Sequence, residues 1–191
     1  MKIRLLRSRL REVFFVPAVG LILVGLSPIV FKTLLADSLP QVQLNADSIT
    51  PRPIEDLTGK NVARDYANAW KNLADALNQN QAGVLNAYFT GFAKDGLTSR
   101  ISDQQKAGIH TRYVDRGHRV KAVFYAADGG EMQLIDQAKL EMEIIAGDKS
   151  LYREAGAQTF LVLMTPGADR WFIRSLQPIS EEELQNVQRP R

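Results

Sequence analysis

The stretch RVKAVFYAADGGEMQLIDQAKLEMEI, residues 119–144, decides the fold class. Its first run alternates: Val120, Ala122 and Phe124 fall on one side, Lys121, Val123 and Tyr125 on the other. Its second run puts Met132, Leu134, Ala138, Leu140, Met142 and Ile144 on one face against Gln133, Gln137, Lys139, Glu141 and Glu143. A period of two is the signature of a strand with one buried face. Asp128-Gly129-Gly130 between the runs is a hairpin turn signal. The reading is a long antiparallel hairpin with one face committed to a core.

Downstream the strand pattern continues. Gly147-Asp148-Lys149 turns the chain, a third strand covers roughly 151–165 with a bulge near Gly156, and Pro166-Gly167-Ala168-Asp169 turns it again. Residues 170–176 read as a fourth strand with Trp171, Ile173 and Ser175 on one face. Ser180 with Glu183 is a capping box that predicts a short terminal helix. Upstream the period changes. Ala63, Tyr66, Ala67, Trp70, Leu73, Ala74 and Leu77 recur at three- and four-residue spacing, one face of a helix with Thr58 as its N-cap, broken by Asn78-Gln79-Asn80-Gln81. A second helix carries Val84, Leu85, Tyr88, Phe89 and Phe92 and stops near Gly96, and a short third runs from Ser102 to Ala107.

Helices followed by hairpin-linked strands give an α+β layer fold. The helix ARDYANAWKNLADAL, the strand pair above, and TFLVLMTPGADRWFIRSLQP together resemble the cone-shaped fold of the nuclear transport factor two and ketosteroid isomerase-like superfamily. The resemblance covers about residues 58–178. It implies two to three helices packed on a curved four-stranded antiparallel sheet. A domain of this type behind one signal anchor also resembles the layout of the periplasmic scaffold subunits of type IV secretion. The superfamily contains isomerases, dehydratases, ligand binders and structural subunits, so function has to come from the site.

The other deciding segment is VFFVPAVGLILVGLSPIVF, residues 13–31, which carries no charge. As a helix it spans roughly 28 Å, close to the hydrocarbon thickness of a bilayer. A cleavable apolar region is usually shorter, and neither Thr33 nor Leu34 suits the −3 position of a cut after Ala36. The reading is a retained anchor, with a basic cytoplasmic N-terminus (1–12), a transmembrane helix (13–35), an extended linker (36–57), the α+β domain (58–178) and a polar tail (179–191). Lys2, Arg4, Arg7, Arg9 and Arg11 precede the segment, which places the N-terminus inside a bacterial inner membrane and the domain in the periplasm or outside the cell. The whole chain has a net charge of +3, but residues 1–36 hold +5 of it, leaving −2 for the rest. Basicity therefore belongs to the N-terminus and gives no support for nucleic-acid binding.

The chain has no cysteine and only two histidines, which excludes disulfides, thiol catalysis and cysteine metal sites. There is no Gly-rich phosphate loop, GxSxG elbow or HExxH, and no cofactor or metal is expected. Asp136 is the sharpest single residue, because it falls in phase with Leu134 and Ala138 on the apolar strand face. There it would be a base raised by desolvation; a bulge at Ile135-Asp136 would instead turn it outward and Ile135 inward. Tyr66, Trp70, Tyr88, Phe89 and Phe92 line either a ligand pocket or simply the core. The stretch HTRYVDRGHRVK, residues 110–121, reads as a solvated loop entering a strand, with Arg112, Arg116, Arg119 and Lys121 as a patch for a partner's acids.

With an anchor, a rigid platform and no catalytic constellation, the expectation is a non-catalytic accessory or assembly subunit. Its partners would be other membrane subunits and the lipid bilayer, with homo-oligomers left open. A membrane-tethered small-molecule binder or isomerase/dehydratase-like enzyme is the alternative. N-terminal sequencing of the mature protein is expected to return a start ahead of Val13; a start near Asp37 would show that the segment is cut away.

Overall fold

The computed structural model describes residues 39–47 and 49–188. In chain order these form β1 (Val42–Asn45), α1 (Asp56–Gln79), a 3-10 turn (Ala82–Ala87), α2 (Gly91–Ala107), β2 (His110–Tyr125), β3 (Met132–Ala146), β4 (Lys149–Pro166), β5 (Trp171–Pro178) and α3 (Glu181–Gln188). The strands make one curved five-stranded sheet in the order β1-β2-β3-β4-β5. It is mixed, because β1 runs parallel to β2 while the other pairs are antiparallel. The chain is α+β, as the patterning indicates, with five strands where four were expected. The predicted membrane segment lies outside the described residues, and no described helix is long and apolar enough to cross a membrane.

Helix α1 lies on the sheet and supplies one side of the core. Val62, Tyr66, Ala69, Trp70, Leu73, Ala76 and Leu77 are buried against Val120, Ala122, Leu134, Ala138, Phe160, Val162 and Met164 from the strands. The helix starts at Asp56, so Thr58 lies inside its first turn rather than capping it. It ends where the polar run begins. Asn80 takes the left-handed conformation at φ 53°, and its side chain donates to the Ile109 carbonyl and accepts from Gln104 Nε2.

The second expected helix is absent. After the 3-10 turn, the backbone at Tyr88–Thr90 is extended and hydrogen-bonds both ways with Ile173 of β5. The helix then restarts at Gly91 and runs through Gly96 to Ala107, absorbing the short third helix. The apolar set of residues 84–92 is split by this change: Leu85 and Phe89 are buried, and Phe92 is 81% exposed.

The stretch expected to be a linker contains β1, and the stretch expected to be a loop is the first half of β2. The second misreading traces to a bulge. Between Asp115 and His118 strand β2 carries one more residue than β3 opposite. Gly117 accommodates it at φ 117°, a conformation that side chains with a Cβ rarely adopt. The inward residues are therefore Thr111, Tyr113 and Asp115 before the bulge and His118, Val120 and Ala122 after it. Two period-two runs out of phase look like no period at all. A second shift between Ala122 and Phe124 reverses the phase again, so Phe124 is 39% exposed and Tyr125 is 4% exposed. A third, at Arg174 on β5, turns Leu176 rather than Ser175 toward the core. The terminal capping box is present: Ser180 N–H donates to Glu183 Oε2 at 2.7 Å, and Glu183 N–H to Ser180 Oγ at 3.3 Å.

The second phase shift is open to a direct test. Phe124→Ser is expected to change stability by no more than about 0.5 kcal/mol. Tyr125→Ala, which empties the space beside Trp171 and under Arg52, is expected to cost about 3–5 kcal/mol in urea unfolding. Equal costs would mean that the phase shift is wrong.

Candidate functional site

Four polar side chains inside the core form one hydrogen-bonded chain. Asp136 sits mid-strand on β3, opposite Val120 on one side and Phe160 on the other, with no register shift at Ile135–Asp136. It points toward α1, while Ile135 lies on the opposite face. Tyr66 on α1 donates its hydroxyl to Asp136 Oδ2 at 2.7 Å. The same oxygen lies 2.7 Å from His118 Nδ1, and His118 Nε2 lies 2.7 Å from Asp115 Oδ2. Asp115 Oδ1 in turn accepts the Gly117 N–H at 2.7 Å, closing the bulge on itself. The four side chains Tyr66, Asp136, His118 and Asp115 thus run from the centre of the core to its rim.

The bulge makes this chain. In a regular strand residues three apart point to opposite faces; the extra residue lets Asp115 and His118 both face inward. The backbone there is also held by β1, since the His118 N–H donates to the Gln41 carbonyl at 2.9 Å. Burial disfavours a charged imidazole, but the hydrogen bonds and charges of Asp115 and Asp136 outweigh it and push His118 up to about 9. At neutral pH His118 is therefore an imidazolium that donates from both ring nitrogens. Trp70 lies over it with ring centroids 4.7 Å apart, near enough for a cation–π attraction, and the Tyr66 ring meets it edge-on at 5.7 Å. Burial, then the charge of Asp136, pushes the Tyr66 phenol well above its ordinary value, so it stays a donor.

As chemistry, the site holds a carboxylate beside a tyrosine, but nothing opens onto it. Asp136 and Tyr66 are each 0% exposed and His118 is 2% exposed. Asp136 Oδ1 is buried without a hydrogen-bond partner. A general base needs room for the substrate proton within hydrogen-bond reach, and here Leu134, Ala138, Phe160 and Trp70 occupy that space. The two best-formed concavities lie elsewhere. One, of about 380 Å³, is lined by Gln43, Asn45, Arg119, Lys121, Ile135 and Gln137 on the outer sheet face; the other lies between Leu44, Ile54 and the start of α1. Among the described residues no group of three or more His, Asp or Glu is placed to hold a metal ion.

The aromatic candidates are not brought together. Tyr66 and Trp70 enclose His118, whereas Tyr88 is half-buried under the Arg170 guanidinium, 5.3 Å from its ring, and Phe92 is in solvent. The basic candidates share the outer face but differ in pairing. Arg112 pairs with Glu143, and Arg116 and Arg153 both pair with Glu141, whereas Arg119 and Lys121 border the outer-face concavity. The flanking guanidinium groups keep Glu141 below the ordinary carboxylate range. His118 and Asp115 were missed as partners of Asp136. The signal was Asp115-Arg116-Gly117-His118, in which a glycine two residues after an aspartate marks a bulge or turn. Asp65 was missed too. It is 1% exposed and accepts the Trp171 N–H at 2.9 Å, while Arg64 covers its carboxylate from outside.

No protein-family model matches the chain, and no curated protein matches it. Solved structures do. The intermembrane space region of the chloroplast protein ARC6 superposes with a TM-score of 0.57 at 15% identity, covering 69% of this chain and 100% of that one. A periplasmic fragment of TraM gives 0.45 at 16% identity over 60% of this chain and 95% of its own. A putative dehydratase of the NTF2-like family from Streptomyces avermitilis gives 0.42 at 7% identity over 63% and 99%. Cone folds of the nuclear transport factor two type are thus among the similar structures. At these identities the likeness is one of fold.

The His118 linkage has a definite sign. Its folded value, about 9, lies above the ordinary 6.5, so the folded state holds the proton more tightly. The stabilisation is complete below about pH 6.5 and is lost as pH rises toward 9. Urea unfolding is expected to show stability falling on the order of 3 kcal/mol over that window. His118→Gln should flatten the profile there; an unchanged profile would mean that the imidazole is not held charged.

Proposed function

We propose that this chain is a single-pass membrane-anchored accessory or assembly subunit, with its N-terminus in the cytoplasm. Its α+β domain acts through contacts with other subunits of a membrane complex rather than through catalysis. The observation that carries the reading is that the Tyr66–Asp136–His118–Asp115 chain is sealed, so the most reactive groups in the domain serve to fasten α1 to the sheet. Support for the anchor comes from residues 13–31 and the basic segment before them. Support for a docking role comes from the exposed outer sheet face, where a row of cations and amides borders a shallow concavity.

A membrane-tethered binder or isomerase/dehydratase-like enzyme is the second reading. The placement of Asp136 beside the Tyr66 hydroxyl favours it. The packing of Trp70 and Phe160 over the same carboxylate weighs against it.

Gentle detergent extraction of native membranes, a native gel and mass spectrometry test the proposal. Stoichiometric co-migration with a defined set of membrane proteins is expected. Asp136→Asn is expected to lower thermal stability while leaving that co-migration intact in the folded fraction. Migration of the wild type alone, together with a small ligand that stabilises it but not Asp136→Asn, would replace the subunit reading with the enzyme one.

A further inference from the structure

The β4 strand has a long unpaired edge. It pairs with β5 only from Phe160 to Pro166, and with β3 from Lys149 to Met164 with a register shift at Leu151. Among the described residues nothing pairs with the other side of Lys149–Gln158. The Ile179 N–H donates to the Thr159 carbonyl, which fixes the alternation. Up to the register shift at Leu151, odd residues turn their backbone groups toward the β5 side, so Arg153, Ala155 and Ala157 present N–H and C=O to the open edge. Such an edge is a template for another strand, and natural sheets usually shorten or cover it.

We propose that the occupant is the β4 edge of a second copy of this chain, paired antiparallel about a two-fold axis at Glu154. A two-fold axis through a continuous sheet keeps each side chain on its own face, so it must pass through a residue position. Charge selects which one. Within one chain the outer face carries the rows Arg112–Glu143–Arg153 and Val114–Glu141–Ala155, and Lys139 stands beside Ala157. Centred on Glu154, each Arg153 falls opposite the small Ala155 of the other copy, with that copy's Glu141 just behind. Signs then alternate across the joint. Centred on Arg153, the two Arg153 side chains would meet; centred on Ala155, Arg153 would face Ala157 with Lys139 behind it. Shape agrees with charge. Tyr152, 47% exposed, falls opposite Gly156, where a Cβ would meet nothing within 4 Å. The register has one cost: the two Glu154 carboxylates face each other across the axis.

The pairing does not depend on the subunit reading, since a chain that joins no other protein can still join itself. The full chain, purified in mild detergent, is the material. It contains no native cysteine, so Glu154→Cys places one thiol per chain at the axis, in a close non-hydrogen-bonded pair. Mild thiol oxidation is expected to convert it to a disulfide-linked dimer much faster than Glu131→Cys in the exposed hairpin turn. Sedimentation is expected to give a dimer for the wild type and one roughly two- to fivefold tighter for Glu154→Gln, which removes the like-charge contact. Ala155→Pro deletes an edge donor while sparing the bonds to β3 and is expected to give monomer; Ala155→Lys, which sets a cation opposite Arg153 of the other copy, serves should the proline variant fail to fold. Equal cross-linking of the two cysteine variants would overturn the proposal. So would a wild-type monomer whose edge variants lose a different protein, which would assign the edge to a foreign strand.

Discussion

The architecture depends on one imidazole held between two carboxylates. Removing any member of the chain leaves a buried polar group without its partner, and such breakage typically costs several kcal/mol. The arrangement ties three elements together: α1 through Tyr66 and Trp70, β3 through Asp136, and the bulge of β2 through His118 and Asp115. It also places β1, because the bulge backbone is what Gln41 bonds. A hydrophobic set of the same volume could hold α1 to the sheet, but it could not fix where the bulge falls. Directional hydrogen bonds at 2.7 Å do that.

The same constraint explains why Asp136 is a poor candidate for chemistry. A catalytic carboxylate needs a raised affinity for protons and a way in for substrate. Asp136 has a tyrosine and a histidine beside it, the company an acid–base residue keeps, yet its neighbours consume its reach. The exposed features lie away from it: Leu151 and Tyr152 on β4, Phe92 on α2, and the concavity bordered by Arg119 and Lys121 on the outer sheet face.

Much of the fold was legible because the patterns were long. The Asp128-Gly129-Gly130 hairpin, the α1 face and the Ser180–Glu183 box appear where the sequence puts them. What failed was phase. Four extra residues, near Gly117, Val123, Leu151 and Arg174, each flip the side of everything beyond them, and a period-two reading has no means of counting them. The helix expected over residues 84–92 failed for a different reason: its apolar residues suit either a helix or a buried extended segment, and pairing with Ile173 decided for the latter. For the site, the inward phase of Asp136 was readable from Leu134 and Ala138. Its partners were not, because His118 belongs to a face that exists only once the bulge is drawn.

The clamp between Asp65 and the Trp171 N–H joins residues 106 positions apart. During synthesis α1 is finished long before β5 exists, and chains lengthen at about 5–20 residues per second. For several seconds the Tyr66–Trp70–Leu77 face has no sheet to lie on, and Asp65 has no amide to receive. Folding of this domain is therefore an event of the completed chain rather than of its growing end.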